Sequence, residues 1–151
     1  MNNSEKLVDV LNNLIIINND RVEGYDKAAE ETDDYALKAL FESMARDSRK
    51  FASELAMEVA QRAGKVTTGT STAGDLYRVW MDIKAAVSGK DRKVILSSCE
   101  TGEDIAQKAY DEALRTDTEL STEIRHLLLD QKDNLKIAHD EIKNLRDAIM
   151  A

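Results

Sequence analysis

Residues 65–72 read KVTTGTST, the longest stretch of low helical propensity in the chain, and what flanks it decides the fold. Upstream, Ser4, Leu7, Leu11, Leu14 and Ile15 make a capped amphipathic start that continues through Val22, Tyr25 and Ala29. ETDD (31–34) interrupts the pattern, and Thr32 or Asp33 serves as the cap of a second helix. That helix carries Leu37, Leu40, Phe41, Met44, Phe51, Leu55 and Val59, and Gly64 closes it. Each of the two runs for roughly 25–30 residues, or about 40 Å. Downstream, GDLYRVWMDIKAAV (74–87) predicts a shorter helix with Leu76, Val79, Trp80 and Ile83 on one side, ended by Ser88-Gly89. A third long helix starts near Asp91 and ends near Arg115. TDTE (116–119) caps a fourth, from Leu120 to Met150, with Ile124, Leu127, Leu128, Leu135, Ala138, Ile142 and Leu145 as its apolar stripe. The connector between the two helical pairs, about 25 residues, is long enough to let the third long helix lie parallel to the second. The expectation is an all-α four-helix bundle over residues 1–151, one domain, with a long crossover connection carrying a short extra helix.

Composition agrees and narrows the functions. The chain has 151 residues, no proline, 6 glycines and 33% charged residues, which favours helix over strand. A formal charge of -8 argues against nucleic acid, because a phosphate-binding face needs clustered Lys and Arg. The single cysteine, Cys99, excludes an internal disulfide and fits a reducing cytosol. Its place on an apolar face makes it a small core residue rather than a nucleophile. The opening MNNSEKLVDV lacks a secretory pattern, and the longest aliphatic run, Leu14 to Ile17, is too short for a membrane span. The expected protein is cytoplasmic and acidic, with no membrane or nucleic-acid partner.

The third long helix holds an anomaly. Leu96, Cys99, Ala106, Ala113 and Leu114 are spaced as one buried face, and Glu103 and Tyr110 stand on that same face. A carboxylate there costs several kcal/mol unless it is paired, protonated or bound to a metal. The expectation is that Glu103 is buried within one side-chain length of Glu23 across the core, so that Glu103→Gln costs little or even stabilises. The two halves of the chain also echo each other. At an offset of 80, EGYDKAAE (23–30) overlays EDIAQKAY (103–110), so Glu23 matches Glu103; at an offset of 83, Asp47 matches Asp130.

On LNNLIIINNDRVEGYDKAAE, FESMARDSRKFASEL, GDLYRVWMDIKAAV and ETGEDIAQKAYDEAL, the chain resembles the ferritin-like superfamily. It is similar to an uncharacterised bacterial ferritin-like family of unknown function. The resemblance implies a bundle and, for the wider superfamily, a di-iron or di-manganese carboxylate site in which two helices give one Glu each and two give Glu-x-x-His. Carried over, Glu23 and Glu103 take the single-glutamate positions. Asp47 with Lys50, and Asp130 with Asp133, replace the Glu-x-x-His pairs. Glu123 and His126 spell the motif literally, one heptad before Asp130.

Besides plain placement of these acids on the surface, two readings compete for these residues. In one, Glu23, Asp47, Glu103, Glu123, His126 and Asp130 hold a divalent metal such as iron or manganese, giving an oxidoreductase or a metal-storage protein. In the other, the site is degenerate: the Lys50 ammonium stands in for the metal, and the protein is a non-catalytic structural or interaction protein without a cofactor. The second is the expectation, with a homodimer or a protein partner formed through an exposed apolar face. His139 has no ligand spacing in the sequence.

Overall fold

The computed structural model describes residues 2–71, 75–89, 91–116 and 119–150, apart from the side chains at 75, 76, 87 and 150. Within these residues the chain is all-helical, with no strand: α1 (Asn3–Glu31), α2 (Tyr35–Gln61), α3 (Asp75–Gly89), α4 (Arg92–Leu114) and α5 (Thr122–Met150). No helix is long and apolar enough to cross a membrane. Gly74, the side chain of Leu76, and Asp117 and Thr118 of the expected fourth cap lie outside the described residues.

The helix ends correct the expected caps by a few residues. Asn2 rather than Ser4 caps α1, its side chain accepting from the Glu5 N–H. Asp34, not Thr32 or Asp33, caps α2 by accepting from Leu37 N–H, and it also pairs with Arg92 at the start of α4. At the start of α5, Ser121 Oγ accepts from Ile124 N–H at 3.2 Å. The end of α2 carries the double hydrogen bond of a Schellman turn, Gly64 N–H to Val59 C=O and Ala63 N–H to Ala60 C=O, both 3.0 Å. Ala63 (φ 55°) takes the left-handed position there. Gly64 follows it because a Cβ would stand 2.8 Å from the Val8 side chain.

Helix directions follow from residues that meet. Asn18 reaches Ser48 through a hydrogen bond, and the Tyr25 ring stacks on Phe41 at 5.6 Å, so α1 and α2 are antiparallel. Tyr110 meets Gln131 and Glu100 meets Arg146, so α4 and α5 are antiparallel as well. Asn18 meets Tyr110 and Arg21 meets Glu103, which makes α1 antiparallel to α4. The second and third long helices therefore run the same way, on either side of the connector.

The connector is held by polar residues of α1. Asn12 accepts from Thr67 N–H and donates to Lys65 C=O, and Asn19 donates to Gly69 C=O. Asp20 accepts from both the N–H and the hydroxyl of Ser71, at 2.8 and 2.7 Å. Burial pushes the Asp20 carboxyl up from its ordinary value, against the opposing pull of those two hydrogen bonds. These asparagines leave the helix's own ladder intact and satisfy a segment that has no ladder of its own.

The helix α3 lies across α1 and α4, burying Val79, Ile83 and Ala86. Its Trp80 meets the Tyr25 ring edge-on at 5.0 Å. Gly24 makes that approach possible, since a Cβ there would come within 2.1 Å of the indole. Gly24→Ala should therefore lift α3 from α1 and cost about 1–3 kcal/mol by overpacking. Urea unfolding reads the loss, and a red shift in the fluorescence of Trp80, the only tryptophan, reads the displacement.

Candidate functional site

Each long helix presents an apolar seam spaced by threes and fours, and each seam is broken once or twice by a polar side chain. On α1 the seam is Leu11, Leu14, Asn18, Arg21, Tyr25 and Ala28, all buried. On α2, Ser48 lies between Met44 and Phe51; on α4, Glu103 lies between Cys99 and Ala106; on α5, Gln131 lies between Leu128 and Leu135. The buried apolar residues accordingly form two clusters. One gathers around Tyr25, Phe41 and Leu96, the other around Leu11, Leu55 and Leu128. The polar breaks form the layer between them.

At the centre of the layer, Arg21 and Glu103 make a two-pronged ion pair. Nε donates to Oε2 at 2.9 Å and Nη2 to Oε1 at 2.5 Å, with the side chains 1% and 0% exposed. The remaining guanidinium nitrogen, Nη1, donates to Ser48 Oγ. Ser48 Oγ donates to Asn18 Oδ1 (3.0 Å), Asn18 Nδ2 donates to Tyr110 OH (2.9 Å), and Tyr110 donates to Gln131 Oε1 (2.6 Å). Gln131 Nε2 ends the chain on Phe51 C=O at 3.4 Å and Glu54 Oε1 at 3.3 Å. Donors point one way throughout, from the cation on α1 to the carboxylate of Glu54 on α2. Such an ordered chain polarises each bond in turn.

Burial alone would lower the Arg21 pKa, but the Glu103 carboxylate outweighs it and raises the value, so the guanidinium stays charged. Tyr25 packs its ring over this cation, 5.4 Å from Arg21 Cζ. Burial raises the phenols of Tyr25 and Tyr110 and the thiol of Cys99, so all three are neutral at physiological pH. Cys99 is a buried, unreactive core residue.

Of the six residues expected to share a site, only Glu103 enters this layer. Glu23, Asp47, Glu123, His126 and Asp130 are exposed. Glu23 lines a surface cleft of about 310 Å³ with Asp20, Lys27 and Trp80. Asp130 shares a shallow groove with Lys50 and Glu54. Lys50 is itself exposed, and the cation of the interior is Arg21. The reason is helical phase. A step of one residue turns a side chain by about 100° and two by about 200°. With Arg21 inward, Glu23 points out; with Ser48 and Gln131 inward, Asp47 and Asp130 are each rotated off the seam. None of the six joins a group of three His, Cys, Asp or Glu with ligand atoms within 4.8 Å of one another; among the described residues that arrangement occurs at Glu100, Asp104 and His139.

Arg21, Ser48 and Gln131 carry no metal-ligand signature in the sequence. The signal was their position: each occupies a strict three–four slot between residues that are certain core. The pairing also reverses the expectation for an amide at 103. Glu103→Gln would strand the Arg21 charge in the interior.

Residues 6–116 match the model of a family described as domain of unknown function (DUF2383). No curated protein matches the chain.

Removing one partner of a buried ion pair costs about 3–5 kcal/mol, because the other charge is left uncompensated, whereas apolar replacement of both is close to neutral. Arg21→Met and Glu103→Gln should each lose stability on that scale in urea unfolding. The double variant Arg21→Met/Glu103→Leu should recover most of the loss.

Proposed function

This chain belongs to the DUF2383 family, and we propose that it is a ferritin-like four-helix bundle, a single domain over residues 1–151, that works through its surface as a non-catalytic structural or interaction protein. The observation that carries this reading is the Arg21–Glu103 pair. In the interior, where a ferritin-like protein would hold two metal ions between carboxylates, the glutamate buried among the described residues, Glu103, has both oxygens engaged by a guanidinium. A divalent ion placed about 4 Å from that fixed charge would meet a repulsion of roughly 8 kcal/mol at an effective dielectric near 20. Ser48, Asn18, Tyr110 and Gln131 supply amides and hydroxyls hydrogen-bonded in series, which are weak ligands for iron or manganese.

The alternative reading, a di-metal oxidoreductase or metal-storage protein, needs carboxylates that converge. Glu23, Asp47 and Asp130 point away from the interior, and the imidazole of His126 is exposed. The cytoplasm suits a chain whose lone cysteine is a buried thiol.

Aerobic addition of Fe²⁺ should give no oxidation above the buffer rate, followed by ferric absorbance, and iron should not be retained after desalting. Oxidation that persists when His139 is replaced by Ala would place the chemistry in the interior and overturn this reading.

The proposal extends to self-association as a homodimer, supported by large apolar side chains left exposed on the outer helices, such as Tyr77, Met81, Leu129 and Ile137. Light scattering at micromolar concentration should give twice the 16.9 kDa chain mass. A single-chain mass would exclude the dimer.

A further inference from the structure

We propose that Glu100, Asp104 and His139 form a binding site for a divalent first-row transition ion of the zinc or nickel type, on the outer side of the α4–α5 hairpin and separate from the buried polar layer. The residues come from two helices that pack together. Glu100 and Asp104 are one turn apart on α4, so their carboxylates share a face. His139 comes from α5 and points its Nε2 between them, 2.9 Å from Asp104 Oδ1 and 3.9 Å from Glu100 Oε1. One ligand atom from each residue lies within 4.8 Å of the other two. Ligands bound to one ion at about 2.0–2.2 Å stand roughly 3–4 Å apart, so the set needs only side-chain adjustment to close on a metal.

Several features equip this trio beyond the presence of acids. Asp140 Oδ1 lies 3.2 Å from His139 Nδ1. With the Nδ1–H directed there, the Nε2 lone pair faces the two carboxylates. A carboxylate behind a ligating imidazole is the usual device for fixing its tautomer and orientation. Arg146 pairs with Glu100 through Oε2, the other oxygen, which leaves Oε1 turned toward His139. That guanidinium restrains Glu100 and at the same time moderates the site's negative charge, so affinity should be modest. His139 and Glu100 are mostly covered, 16% and 17% exposed, whereas Asp104 is 60% exposed. The ion would therefore reach the site from solvent at the Asp104 side and retain water in its open positions. One imidazole with two carboxylates suits a borderline ion better than calcium or magnesium, which prefer all-oxygen sets.

Titration calorimetry of the full chain with Zn²⁺ tests the assignment. It should show one ion per chain. Asp104→Asn and His139→Ala, both substitutions near the surface, should each weaken binding about tenfold or more. His126→Ala should leave it unchanged, and Zn²⁺ should shift the His139 ring resonances in NMR but not those of His126. Absence of binding up to millimolar Zn²⁺, a weakening below tenfold in either site variant, or a loss that follows His126 would overturn the proposal. The interior reading stands apart from all of these outcomes, since none of them involves Arg21 or Glu103.

Discussion

A guanidinium and a carboxylate, each shut away from water, meet at the middle of this helical protein. Neither could be buried alone: desolvation costs several kcal/mol for each ion, and only mutual attraction with good geometry offsets it. Arg21 sits on α1 and Glu103 on α4, so the pair exists only when the chain has returned after the connector to lay α4 against α1 in one register. Sliding either helix by a turn would separate the charges and leave both uncompensated. Apolar seams alone tolerate such slips, because one leucine packs much like another. The ion pair thus acts against alternative registers, a role for which buried polar residues are best attested.

The rest of the layer extends that constraint to α2 and α5. Ser48 accepts from the one guanidinium nitrogen not used by Glu103, and its own proton starts a chain through Asn18 and Tyr110 to Gln131. Each member has a partner because the preceding member is in place. The two apolar clusters on either side supply the stabilisation that the layer does not. The arrangement also limits chemistry. Both oxygens of the buried Glu103 are engaged by a fixed cation, and the phenols of Tyr25 and Tyr110 and the thiol of Cys99 are held neutral by burial.

The proposed role is a surface one. The connector is bound to α1 by side chains that answer its backbone groups, and α3 is seated by an indole against a glycine. Both devices cover the α1 side of the protein. On the other hairpin, the Asp104 carboxylate opens to solvent beside the mostly covered Glu100 and His139.

Much of this was legible in the chain itself. Heptad-like spacing placed the five helices to within a few residues, since a long helix buries one face whatever it packs against. The length of the connector set the parallel course of α2 and α4, because a short loop cannot return the chain to the same end. The burial of Glu103 was readable from its apolar neighbours. Its partner was not. Choosing Arg21 over Lys50 depends on the rotations of α1 and α2 relative to α4, and a phase error of one or two residues separates Ser48 from Asp47, Gln131 from Asp130 and Arg21 from Glu23. The meeting of His139 with Glu100 and Asp104 depends likewise on the pairing of α4 with α5 across a turn. Local spacing determines which residues share a face of one helix; only packing decides which faces meet, because contact between helices is set by the summed fit of whole surfaces rather than by any residue's neighbours in sequence.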